Sequence, residues 1–144
     1  MTGKTIDELH AGDSDSFTKT VSESDIYLYA GISGDLNPAH IDHKYASNTF
    51  FKARIAHGML SAGFISAVIG MKLPGPGTIY REQNLRFLRP VYIGDTIKAT
   101  VEVLEIDPEK KIVTLATRCF NQENTLVLEG TALVNPPRKK QQAI

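Results

Sequence analysis

The chain has 144 residues, and its charges cancel, with 16 Lys plus Arg against 16 Asp plus Glu. That length suits one domain with a core of its own, and the absence of a basic excess argues against a nucleic-acid protein. The single cysteine, Cys119, excludes an intramolecular disulfide and points to a reducing, intracellular, cytoplasmic setting.

The N-terminus, residues 1–9, is polar and lacks the apolar core of a signal peptide. A first strand is expected over 16–21. A helix should start behind Ser22, which with Asp25 three residues on forms a capping-box pattern, Asp standing in for Glu. Ile26, Tyr29, Ala30 and Ser33 follow at helical spacing, and Gly31 and Gly34 are expected to end the helix. A short helix is expected over 43–50.

The next helix is expected from Gly58 to about Leu73, ahead of Pro74, Gly75, Pro76 and Gly77. Met59, Leu60, Phe64, Ile65, Val68, Ile69 and Met71 leave it almost no polar face, which predicts burial on most sides. Ser61, Gly63, Ser66 and Gly70 interrupt this apolar run, which is too short to span a bilayer comfortably. The small residues would let backbone or a ligand approach closely.

Four strands are expected over 78–89, 95–106, 111–121 and 125–134. In the second, Ile97, Ala99, Val101 and Val103 alternate with Lys98, Thr100 and Glu102. The phase slips at Leu104 and Ile106, which predicts a bulge. Residues 107–110 and 122–124 read as hairpin turns. The central helix should be roughly 22 Å long and the strand over 95–106 roughly 40 Å. Long antiparallel strands beside one buried helix suggest an α+β domain with a curved sheet wrapped around it. The domain should cover 1–134. The tail, 135–144, with Arg138, Lys139 and Lys140, reads as a disordered, solvated end; a targeting or membrane role for its basic residues is the alternative. Cys119 lies in an alternating stretch and reads as a small buried hydrophobe.

The chemistry-bearing segment lies between the first two helices, where loops carry function. It holds Tyr29, Ser33, Gly34, Asp35, Asn37, Pro38, His40 and Asp42. Pro38 fixes its own φ and holds Asn37 extended, which stiffens the loop. Asn37 can bond backbone groups and shape the turn, and it is also a substrate-binding candidate. Asp35 and His40 form an acid/base pair suited to handling one water. Taken alone, the same residues also suit a plain turn. A metal reading through Asp35, His40, Asp42 and His43 matches no zinc spacing.

The segment resembles the signature of the R-specific enoyl-CoA hydratases, the MaoC-like hydratase family with a hot-dog fold. Two further elements match: Ile55, Ala56, His57, Gly58, Met59 and Leu60 at the start of the central helix, and Phe87, Pro90, Val91, Gly94 and Asp95 before the long strand. The resemblance covers about residues 8–134. It implies a hot-dog sheet around the central helix, a homodimer with the site near the interface, and no metal or redox cofactor. Asp35 and His40 would activate water for addition to a trans-2-enoyl-CoA, giving an (R)-3-hydroxyacyl-CoA. The Gly58 amide, at the positive end of the central helix, would stabilise the thioester oxygen; close packing is the other role for that glycine.

His57 would touch substrate or cap the helix. Ser61 and Gly63 would leave room for the acyl chain or serve packing, and Tyr29 would close the pocket or sit in the core. Arg81, Arg86, Arg89, Lys52 and Arg54 are candidates for the coenzyme A phosphates, against a simply solvated face. Competing activities are dehydration of a 3-hydroxyacyl group on acyl-carrier protein, thioester hydrolysis, and non-catalytic acyl-thioester binding.

Overall fold

A computed structural model describes residues 2–139. Strand β1 (Ser14–Thr20) leads into α1 (Glu23–Ser33). Ser22 caps α1 as expected: its hydroxyl accepts from Asp25 N at 3.1 Å, and the Asp25 carboxylate accepts from Ser22 N at 2.9 Å. Gly31 stays inside the helix, and Gly34 alone ends it, with φ 81°. Ser22→Ala removes one half of this reciprocal cap. It should cost about 1 kcal/mol of stability in a denaturant titration.

Two short helices follow, α2 (Pro38–Ile41) and α3 (His43–Ser47), where one had been expected. The Asp42 carboxylate separates them by accepting from Tyr45 N at 3.0 Å, so α3 has its own cap. Helix α4 runs Gly58–Met71.

The remaining strands are β2 (Ile79–Phe87), β3 (Thr96–Asp107), β4 (Ile112–Phe120) and β5 (Leu126–Asn135). They form one antiparallel sheet with β1, in the order β1-β3-β4-β5-β2. The alternation in β3 predicts its faces correctly: Ile97, Ala99, Val101 and Val103 are all buried. The expected slip is a register shift between Val103 and Glu105. Beyond it, the Asp107 carboxylate accepts from Glu109 N and Lys110 N and shapes the first hairpin turn.

Helix α4 lies against β3, β1 and β4, so the sheet wraps one side of it. Phe64, Ile65, Val68 and Ile69 enter the core with Leu115, Cys119 and Leu128 from the sheet. The expectation of a helix buried on most sides needs correction. Met59 is 53% exposed and Met71 60%, and Gly63 and Ser66 are exposed as well. Positions 59, 63 and 66 fall on one stripe of a 3.6-residue helix, and among the described residues no element covers it.

Asn135, placed in the tail by its sequence, is the last residue of β5. Beyond it Pro137 lies against Gly77, and Lys139 Nζ reaches the Asp7 carboxylate at 2.6 Å. The rest of the expected disordered tail, 140–144, lies outside the described residues. Among the described residues no helix is long and apolar enough to cross a membrane.

Candidate active site

The loop after α1 is built from short side-chain bonds to backbone. The Ser33 hydroxyl donates to Tyr29 O at 2.7 Å and accepts from Asp35 N at 3.1 Å. The Asp35 carboxylate accepts from Asn37 N at 3.2 Å. Asn37 is extended, with ψ 125°, as the following proline requires. Its side chain accepts from Ala39 N at 3.0 Å and caps α2, with Pro38 in the first turn. Asn37 is therefore exposed and builds the loop.

Helix α2 places His40, whose Nδ1 is 2.7 Å from Ile55 O. A carbonyl only accepts, so Nδ1 carries the proton and Nε2 keeps its lone pair. His57 makes the matching contact from the other side. Its Nε2 is 2.9 Å from Asp35 O, so it donates there and Nδ1 is the bare nitrogen. The two imidazoles stack at 3.8 Å between centroids, and Tyr29 packs on His57 at 4.7 Å. His57 occupies the cap position of α4 without a side-chain cap bond. What it holds is the Asp35 loop, and Tyr29 buttresses it.

One carboxylate oxygen of Asp35 and one ring nitrogen each of His40 and His57 lie within 4.8 Å of one another. Asp42 and His43, grouped with Asp35 and His40 in the metal reading of the sequence, are not part of this cluster. The three atoms surround a volume that suits one small polar species, a water or a cation. Each histidine has one ring nitrogen tied to a backbone carbonyl, which fixes the ring orientation.

His40, Gly58 and Ser61 line one wall of a cavity of about 430 Å³. Phe51, Phe87, Val91, Val127 and Leu128 make the rest largely apolar, and Arg89 also lines it. Gly58 opens α4, and among the described residues its N–H has no protein acceptor. The glycine also lets the Phe87 ring approach: a Cβ there would come 2.5 Å from Phe87 Cε1, so the ring would have to shift. Gly63 is exposed and does not line the cavity.

The basic candidates separate clearly. Arg54 is bound to the Glu23 carboxylate and donates to the Tyr27 hydroxyl at 2.8 Å. The Arg54 hydrogen bond holds the Glu23 carboxyl below its usual range. Arg81 Nε is bonded to the Asn135 side chain. Arg86 is exposed, 3.9 Å from Glu129. Lys52 is exposed beside Phe51, with φ 63°. Only Arg89 of the five reaches the cavity wall.

The apolar wall escaped the sequence reading. Phe87 stands in the sequence only as part of a motif, and the Phe50–Phe51 doublet after a short helix is the available signal. Cys119 is fully buried, with its thiol 3.7 Å from Ser61 O, and burial pushes its pKa up to about 12. Folded protein should therefore resist iodoacetamide at neutral pH and be alkylated once unfolded, as intact mass would show.

The long sheet folded against one apolar helix, with the stiff Asp35 loop at the helix N-terminus, defines a single-domain α+β hot-dog protein. The MaoC like domain matches residues 10–124, and the chain belongs to that family. It is 56% identical over 134 residues to the (R)-specific enoyl-CoA hydratase of Rhodospirillum rubrum, with 93% of this chain and 92% of that protein covered. It is 44% identical over 136 residues to the 3-hydroxybutyryl-CoA dehydratase of Methylorubrum extorquens, with 94% and 86% covered. In structure it is similar to the unliganded R-hydratase PhaJ1 of Pseudomonas aeruginosa, at TM-score 0.91 and 46% identity over 99% of this chain and 94% of that one.

Proposed function

We propose that this chain hydrates trans-2-enoyl-CoA to (R)-3-hydroxyacyl-CoA, reversibly. The observation that carries the reading is the place of His40, which lines the apolar cavity together with Gly58 and has a ring nitrogen within 4.8 Å of the Asp35 carboxylate. A water donating to the carboxylate and to His40 Nε2 would present its oxygen lone pair to C3. As the C3–O bond forms, an O–H bond breaks and its proton passes to the pair. The π electrons move through C2 onto the thioester oxygen, where the Gly58 N–H meets the developing charge. The enolate then collapses and C2 takes a proton back from the pair, so no net proton is gained or lost. Water and proton arrive from one face because both come from one side of the substrate.

No cofactor is needed for this chemistry, since coenzyme A arrives as part of the substrate. Arg89 at the cavity and Lys52 near it are the residues we assign to the coenzyme A phosphates, and Arg86 is available farther out. Arg54 and Arg81 are committed to Glu23 and Asn135. The single buried cysteine supports a cytoplasmic setting.

A homodimer fits the surface. Among the described residues the outer edge of β2 has no partner strand, and Ile79 and Phe87 on it are each 55% exposed. An unpaired strand edge with exposed apolar side chains calls for a cover. Light scattering should give twice the 15.8 kDa chain mass.

Crotonyl-CoA and purified protein test the activity. Enoyl absorbance should fall and (R)-3-hydroxybutyryl-CoA should appear on a chiral column. Free thiol release without hydration would replace this reading with thioester hydrolysis. A strong preference for the crotonyl group on acyl-carrier protein would move the enzyme to fatty-acid synthesis.

A further inference from the structure

Ser61 carries a polar group that the reaction described so far leaves unused. The residue is 2% exposed, and its Oγ has no hydrogen-bond partner. It lines the same cavity as His40 and Gly58. A serine inside a helix often turns its hydroxyl onto the carbonyl one turn back, and Ser61 does not. Burying an unpaired hydroxyl is unfavourable, so the protein tolerates a cost here that alanine would avoid.

The position of the side chain suggests its partner. Ser61 follows Gly58 by three residues, so the two lie on one face of α4. The Cα–Cβ bond of a helical residue tilts toward the N-terminus. The Ser61 hydroxyl therefore hangs over the turn that Gly58 begins. The neighbouring cavity wall is Phe87, Val127 and Leu128, which offer no side-chain acceptor. A bound ligand can supply the acceptor that this wall lacks. A thioester held by the Gly58 N–H brings one polar atom to this spot, its carbonyl oxygen.

We propose that the Ser61 hydroxyl is a second hydrogen-bond donor to the thioester oxygen, beside the Gly58 N–H. This rests on the hydratase reading. The hydroxyl keeps its proton throughout; it shares in stabilising the enolate oxygen and releases it when C2 is protonated. The other unpartnered buried atom, His57 Nδ1, is an acceptor one turn back on the same helix. A Ser61–His57 bond is the competing arrangement, and it would make Ser61 a stabilising residue.

The two arrangements predict opposite signs. Ser61→Ala should lower kcat on crotonyl-CoA by about 100-fold with KM nearly unchanged, the effect of losing one oxyanion donor. Its melting temperature should stay level or rise, since an unsatisfied hydroxyl is gone. Ser61→Thr, which keeps the donor, should retain most of the rate. Acetoacetyl-CoA bound to Ser61→Ala should show less enolate absorbance than on the wild type. The proposal is overturned if Ser61→Ala keeps kcat within about threefold of an active wild type, or if its melting temperature falls along with its rate. A wild type inert toward crotonyl-CoA removes the hydratase reading itself, and this proposal with it.

Discussion

Asp35→Asn should reduce crotonyl-CoA hydration by about 10²–10⁴-fold, the range of a lost general base. The fold should survive. An asparagine side chain still offers an oxygen to Asn37 N, and the Asp35 carbonyl that His57 holds is untouched. His40→Ala should lose rate by a similar factor, and it also leaves Ile55 O without its 2.7 Å donor. That orphaned carbonyl should cost about 1–3 kcal/mol if water cannot replace the imidazole. With both groups assigned to one water, the double variant should be little slower than the worse single one. Near-normal turnover in either single variant, measured on folded protein, would remove this pair from the mechanism.

The second large effect separates the Gly58 N–H from the Gly58 shape. Gly58→Ala keeps the N–H but adds a Cβ 2.5 Å from Phe87 Cε1. The Phe87 ring is exposed enough to swing away, so the expected result is a modest rise in KM as the cavity narrows. Gly58→Pro adds the same Cβ and removes the donor. Proline is welcome at the first position of a helix, and His57, with ψ 133°, already has the backbone a following proline demands. Both variants should fold. The proline variant should turn over about 10²–10³-fold more slowly than the alanine variant, the usual worth of one oxyanion donor. Equal rates in the two would mean that the amide does not meet the thioester oxygen.

Much of the fold was legible because two periods write it into the sequence. Period-two alternation in 97–103 predicted the faces of β3, and its breakdown at Leu104 marked the bulge. The Ser22–Asp25 pair announced α1 through local chemistry alone. The open face of α4 was not legible. Apolar composition says that a surface wants cover, without saying whether the same chain supplies it, and Met59 and Met71 lie where it does not.

At the site, the motif marked Asp35, His40 and Gly58, because a stiff Asn-Pro turn and a helix start are local features. The contacts that orient them cross long stretches of chain. His57 sits beside Gly58 and reads as a cap, yet its bond goes to Asp35, 22 residues earlier. Arg54 looked free for phosphate, and its bond goes 31 residues back to Glu23. No spacing rule contains such partners.

The link from His57 to the Asp35 carbonyl has a consequence for how this scaffold can diversify. His57 and Gly58 are consecutive, so the peptide we assign as the oxyanion donor is joined directly to the residue that grips the Asp35 loop. The base and the donor therefore move as one jig. The cavity walls Val127 and Leu128 belong to the sheet, and they take no part in that jig. Reshaping them would change which acyl chain is admitted while the reacting atoms keep their spacing. Chemistry and substrate size are thus separately adjustable in a domain of this size.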